Sequence, residues 1–215
     1  MRHAHVSYVG ESDPEVVHLT PRGREQAEAA GAALAGIDFD LVVTSSLPRT
    51  GETAALVAPG HQQEAWAEFV EWRGAQLGDL EPAELEQQFV GALHAHDESD
   101  RFLGGESLGE VLDRVLPAFE RLCAREWETA LAVFHGGVNR VLLSQALGGG
   151  RSYFGRFEQA PACINVLDLG ESGWIVRTVN YIPYDPLHPA RTTTMEDVWA
   201  DLVGWFDDLH TDRQG

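Results

Sequence analysis

The sequence predicts an α/β fold: a three-layer α/β/α arrangement around a mixed, mainly parallel central sheet. Three observations carry this. Short apolar runs such as FDLVVTS and TALAVFHGG have strand length and alternate with helical segments, the order that places helices on both faces of a sheet. Two of these runs end in a turn that opens directly into a helix. A chain of 215 residues with 44% hydrophobic content is also the size of one domain, large enough to bury a core without staples.

The elements follow in order. LTPRGREQAEAAGAALAGI reads as a helix, with Thr20 as N-cap, Pro21 at the first helical position and an interior rich in Ala, Glu and Gln. FDLVVTS is a buried strand and PRTGETAALVA the helix after it. The stretch at about 72–106 mixes signals and is expected to be a cap insertion within a single domain spanning 1–215. SLGEVLDRVLPAFERLCAREW is helical, with a kink or break expected at Pro117. TALAVFHGG is a second buried strand running into a glycine turn, followed by the helix VNRVLLSQALG. CINVLDLGESGWIVRTVNYI reads as a hairpin turning near Gly170 and Gly173. The tail TTTMEDVWADLVGWFDDL reads as a capped amphipathic helix and a candidate homodimer contact.

Charge narrows the function. The formal net charge is −19, which disfavours nucleic acid, because that binding rests on cations neutralising phosphates. All 15 basic residues are arginine, so a Schiff-base or P-loop lysine is excluded, whereas planar, bidentate recognition of an anion remains available. Cys123 and Cys163 are too few and too far apart for a disulfide framework or thiolate metal site, which points to a reducing, cytoplasmic setting. No apolar run approaches the roughly 18 residues of a membrane span, so neither a membrane nor a nucleic-acid partner is expected.

Chemistry gathers at the two strand–turn–helix junctions. In LVVTSSLPRT the strand ends at Ser45 and Ser46, with Arg49 at the start of the next helix. In LAVFHGGVNR the strand ends at His135, followed by Gly136 and Gly137. Ligands of open α/β sheets bind outside the carboxyl ends of the strands, where a helix N-terminus suits an anion. Arg2 and His3, in the opening MRHAHV, complete a set that suits a phosphoryl group if they end a neighbouring strand. Arginines would clamp its oxygens and a neutral histidine would attack phosphorus, its pKa pushed down by the guanidinium charges.

These blocks, in this order, resemble the histidine phosphatase superfamily, also called the phosphoglycerate mutase-like family. RHA is similar to its RHG signature, LTPRGREQA to LTxxGxxQA and TSSLPRTGETA to SxxxRxxxTA; GGES and VFHGGVNR match its later blocks. The resemblance implies His3 as the nucleophile that becomes phosphohistidine, and Arg2 and Arg49 as phosphate ligands; His135 and the main chain at Gly136, free of a side chain, are expected to meet the same phosphate. It implies His135 as the second pocket histidine, and Glu71 as proton donor, with Glu68 the weaker candidate. It implies metal-independent hydrolysis of a small phosphorylated metabolite, without a cofactor.

Some positions depart from the family pattern. Only Met1 precedes Arg2 where the family has a full strand, so the natural chain is expected to begin upstream. Ala4 replaces the signature glycine, and Val9 stands at the family's frequent asparagine. EWRGAQLGDLEP lacks the longer stretch of the mutases, which favours a phosphatase. Three other readings stay open: a phosphoglycerate-type mutase, a non-catalytic phospho-ligand binder, and a metal hydrolase built on the HAH of residues 3–5, whose i and i+2 histidines share one face of a strand. His94 and His96 read as solvated. Arg22, Arg24, Arg114 and Arg140 read as surface helix charges, with Arg140 able to reach the pocket mouth; Trp66, Trp72 and Phe102 read as core.

Overall fold

The computed structural model describes residues 1–10, 13–74, 89, 91, 97–151, 153, 155–171, 173–187 and 192–212, the last nine by backbone alone. Most of the stretch read as a cap, with His94 and His96, lies outside these residues.

A parallel sheet is built from β1 (Leu41–Thr44), β2 (Gln63–Ala65) and β3 (Ala130–Val133), in the order β2-β1-β3. Val42 stands opposite Gln63 on one side and Leu131 on the other. All four residues of β1 are buried, as a central strand covered on both faces requires. The alternation of side chains then divides the core. Val43 joins Phe69, Trp72 and Phe134 on one face, while Val42 joins Leu131, Val133 and Met1 on the other.

Helices α1 (Pro21–Ala33) and α2 (Pro48–Val57) cover the second face through Ala27, Ala30, Ala54 and Val57. Their small side chains permit a close approach: a Cβ on Gly31 would stand 2.9 Å from the Leu56 carbonyl oxygen. Helices α3 (Leu108–Cys123) and α4 (Gly136–Ala146) cover the first face. The three-layer expectation is met. The late hairpin is also present, as antiparallel β4 (Ile164–Gly170) and β5 (Gly173–Tyr181), and the chain closes with α5 (Thr194–Asp212).

One expectation is corrected. Pro117 does not break α3, which runs unbroken from Leu108 to Cys123. Its apolar stripe, Val111, Leu112, Val115, Ala118, Phe119 and Leu122, is buried on both sides of the proline, and that packing outweighs one lost backbone hydrogen bond. At the other end of the chain, Met1–His3 are paired in the sheet on both sides. Arg2 bridges Phe134 in parallel; Phe134 N–H donates to the Met1 carbonyl and His3 N–H to the Phe134 carbonyl, each at 2.9 Å. On the far side Arg2 N–H reaches the Cys163 carbonyl and Ala162 N–H the His3 carbonyl. The centre of the sheet therefore has no gap.

Candidate active site

Each motif has a local physical reason, and each positions the residues after Arg2. Thr20 caps α1, its hydroxyl accepting Gly23 N–H at 3.0 Å. A Cβ on Gly23 would fall 2.1 Å from the His5 carbonyl oxygen, so only glycine lets the chain pass there. Gln26 then accepts His5 N–H at 3.0 Å. From α2, Thr53 accepts Ala4 N–H at 3.0 Å. The chain is thus held by side chains immediately beyond the point where the sheet releases it.

This brings His3, Arg2, Arg49 and His135 together, all at least nine-tenths buried. The His3 and His135 rings meet edge-on with centroids 5.1 Å apart. His3 Nδ1 lies 2.7 Å from the Ala4 carbonyl oxygen. A carbonyl only accepts, so Nδ1 carries the hydrogen and Nε2 keeps its lone pair. Burial first, then Arg49 and Arg2, hold the His3 pKa well below its ordinary value. For His135 the causes are burial, then His3, Arg49, Arg2 and Arg114. Both rings are therefore neutral at pH 7.

His135 Nε2 is paired with Ser45 Oγ at 2.8 Å, and Ser45 in turn with Thr50 at 3.0 Å. One guanidinium nitrogen of Arg2 donates to the Gln159 carbonyl and one of Arg49 to the Pro14 carbonyl. Among the described residues, Arg2 Nε, Arg49 Nε, a terminal nitrogen of Arg140 and His135 Nδ1 are buried without a hydrogen-bond partner. Buried polar atoms are rarely left unpaired. A second Arg140 nitrogen and Arg2 Nε lie 3.1 and 3.7 Å from where a Cβ on Gly136 would be. The absent side chain of Gly136 thus leaves room beside two arginines at the N-terminus of α4.

Glu71 sits at that same helix end. Its carboxylate accepts Gly137 N–H at 3.0 Å and Trp72 N–H at 2.9 Å. Glu68 points elsewhere, to Arg121 at 2.6 Å on the exposed side. The weaker of the two glutamate candidates is therefore outside the cluster. His5 is engaged with Thr20 at 2.8 Å, so the two rings of HAH have separate partners.

Two arginines read as surface charges are structural groups, Arg114 partly buried and Arg140 buried. Arg114 bonds both carboxylate oxygens of Glu106, the acid of GGES, and donates to the carbonyls of Glu68, Val70 and Glu71 at 2.7 to 3.1 Å. It fixes the segment that presents Glu71. Arg140 is 4% exposed and donates to the Phe157 carbonyl at 2.7 Å. The remainder of GGES is local: Gly104 turns at φ 70°, and Ser107 caps α3 in a reciprocal box with Glu110. Trp72 is 5% exposed, and Trp66 and Phe102 pack against the core, as expected.

A sheet covered on both faces, with two neutral histidines and three arginines around a helix N-terminus, defines the class. Residues 1–182 match the histidine phosphatase superfamily, branch 1, and the chain belongs to it. Among similar proteins, a 2-carboxy-D-arabinitol-1-phosphatase of Triticum aestivum is 30% identical over 166 residues, which is 74% of this chain and 33% of the relative. The chain spans only about a third of the length of such plant relatives, 39% for one from Arabidopsis thaliana. Phosphoserine phosphatase 1 of Hydrogenobacter thermophilus is 28% identical over 183 residues, covering 80% of this chain and 83% of its own. The crystal structure of the alpha-ribazole phosphatase from Shigella flexneri superposes with a TM-score of 0.66 at 25% identity, covering 84% of this chain and 94% of the other. Among the described residues no helix is long and apolar enough to cross a membrane.

Proposed function

We propose that the chain hydrolyses a small phosphomonoester through a phosphohistidine intermediate, without metal or cofactor. One observation carries the reading: buried guanidinium nitrogens of Arg2, Arg49 and Arg140 lack partners beside the paired rings of His3 and His135, and His3 Nε2 keeps its lone pair. A phosphoryl group supplies the acceptors that such guanidinium nitrogens need. The phosphatases named among the relatives support the same reaction class.

In the first step His3 Nε2 attacks phosphorus. The N–P bond forms, the P–O bond to the alcohol breaks, and protonated Glu71 gives its proton to the departing oxygen. In the second step water attacks phosphorus, Glu71 takes the proton, the N–P bond breaks, and neutral His3 and inorganic phosphate are restored. The arginines hold the equatorial oxygens throughout. No nucleic-acid or membrane partner enters this scheme, and self-association through α5 remains the proposal for a protein partner. Cytoplasmic residence is supported by the two free thiols, one buried and one half-buried.

The test is hydrolysis of p-nitrophenyl phosphate in excess EDTA by the parent, His3→Ala and Glu71→Ala proteins. Turnover that survives EDTA and is abolished by His3→Ala is the expected result. Loss of turnover with chelator, or turnover retained by His3→Ala, overturns the reading.

A further inference from the structure

His135 is the N-cap residue of α4, fully buried, and the two nitrogens of its ring differ. Nε2 lies 2.8 Å from Ser45 Oγ, whereas Nδ1 has no hydrogen-bond partner among the described residues. Ser45 follows β1 directly and Thr50 stands in the first turn of α2; both are buried. Counting the hydrogens of these two hydroxyls decides which ring nitrogen of His135 is protonated.

Thr50 has one hydroxyl hydrogen. Its oxygen lies 2.8 Å from the Leu47 carbonyl and 3.1 Å from the Ser45 carbonyl. Carbonyls only accept, so that hydrogen is committed to them. Ser45 Oγ stands 3.0 Å from the same Thr50 oxygen. Two buried oxygens this close need a hydrogen between them, and Ser45 supplies it. Ser45 Oγ then accepts on its remaining sides, from Leu47 N–H at 3.2 Å and from His135 Nε2. Nε2 therefore carries the ring hydrogen, and Nδ1 is a bare lone pair. Burial first, then His3, Arg49, Arg2 and Arg114, holds the His135 pKa well below its ordinary value, and Arg140 and Glu71 stand at the same end of α4. The Nε atoms of Arg2 and Arg49 are buried and unpartnered like Nδ1.

Resting on the proposed phosphatase reading, we propose that Ser45 and Thr50 are positioning residues that keep His135 Nδ1 bare, so that the site takes up a phosphoryl group together with one proton, shared between Nδ1 and a phosphoryl oxygen. The lone pair of His3 Nε2 suits phosphorus, but a second lone pair among the phosphoryl oxygens repels them unless a proton lies between. An oxyanion beside the ring also favours its protonated form. The proton is the ester's own P–O–H or, for an oxyanion that has none, comes from solvent. It returns to solvent when the ligand leaves.

Tungstate, an oxyanion with no titratable proton near neutral pH, is the probe. Calorimetry at about pH 8 in buffers of different ionisation enthalpy counts the protons taken up on binding. Thr50→Val keeps the side-chain shape but removes the acceptor of the Ser45 hydrogen. That hydrogen then turns to His135 Nε2, and Nδ1–H donates to the oxyanion directly. The parent is expected to take up about one proton more than Thr50→Val, and to lose about tenfold in affinity per pH unit relative to it from pH 7 to 9. Ser45→Ala should match Thr50→Val in proton uptake. Nitrogen NMR of the imidazole rings, without tungstate, reads the tautomer itself: protonated at Nε2 of His135 in the parent and at Nδ1 in Thr50→Val. Equal proton uptake in the parent and both variants, or a parent protonated at Nδ1, overturns the proposal; should a variant fail to fold, the parent spectrum still decides. Neither measurement needs turnover, so failure to hydrolyse p-nitrophenyl phosphate would sink the phosphatase reading alone.

Discussion

The Glu71 carboxylate accepts the backbone N–H of Gly137 at 3.0 Å, and a Cβ on Gly137 would stand 2.7 Å from the same oxygen. The absent side chain is what lets the acid reach the end of α4. In Gly137→Ala the carboxylate, being the tip of a flexible side chain, moves aside at little cost to the fold. Displacing a reacting group by about 1 Å costs on the order of 100-fold in rate. We expect kcat on p-nitrophenyl phosphate to fall by about that factor, with the unfolding midpoint and the inhibition constant of inorganic phosphate close to parent.

Arg114 and Glu106 are 17% and 13% exposed and bond through both carboxylate oxygens. Removing one partner of such a pair leaves a buried charge uncompensated, typically about 3–5 kcal/mol. Exposure at this level puts Arg114→Leu at the lower end, to be read by urea denaturation. Arg114→Lys keeps the charge but not the fork that spans three carbonyls, so kcat should fall more than stability does. Equal losses in the two variants would reduce Arg114 to an ordinary ion-pair partner.

Acid should destabilise the fold through His3 and His135. Both have folded pKa values well below the ordinary 6.5, chiefly from burial. The unfolded chain therefore binds protons first as pH falls, and the stability these rings contribute is complete above pH 6.5 and lost below it. The slope is about 1.4 kcal/mol per pH unit for each ring until its folded pKa is reached. Denaturation midpoints between pH 7.5 and 4.5 check this, and His135→Asn should flatten the dependence. A midpoint that stays level from pH 6.5 downward would mean the rings are not held neutral.

Gly23 is the tightest point of contact between α1 and the chain that carries His3, the proposed nucleophile. Its added Cβ meets backbone 2.1 Å away, which cannot swing aside as a side-chain tip does. Gly23→Ala should cost about 1–3 kcal/mol by overpacking and reduce phosphate affinity as well, since His5 and its neighbours must shift. A variant with normal phosphate binding would show that the site tolerates movement at residue 5.

Much of this was legible in the residues. The junctions after Thr44 and Phe134 could be read because a short apolar run followed by glycine or proline and a helix has few other interpretations. Arg114 could not be placed, because its carbonyl partners lie 43 to 46 residues away and nothing local marks them. A signal was nevertheless present: Arg114 stands three residues after Val111 and four before Ala118, on the apolar stripe of α3. Arg140 carried a similar one, as the only charge in a helix buried almost throughout. The central segment Met1–His3 was hidden for another reason. Three residues make no apolar run to mark a strand, and their pairing is supplied by neighbours on both sides.

The site is assembled largely from distant sequence. Arg2 is held by a carbonyl 157 residues along the chain, His135 by a serine 90 residues away, and Glu71 by an amide 66 residues away. Such contacts carry the full entropy of loop closure and form only as the sheet comes together. The proposed activity is therefore expected to be a late and cooperative readout of folding: a fragment or partly ordered intermediate holds some of the ligands but never the set. Recovery of activity during refolding should follow the slowest burial of the tryptophans, with no fraction regained in advance.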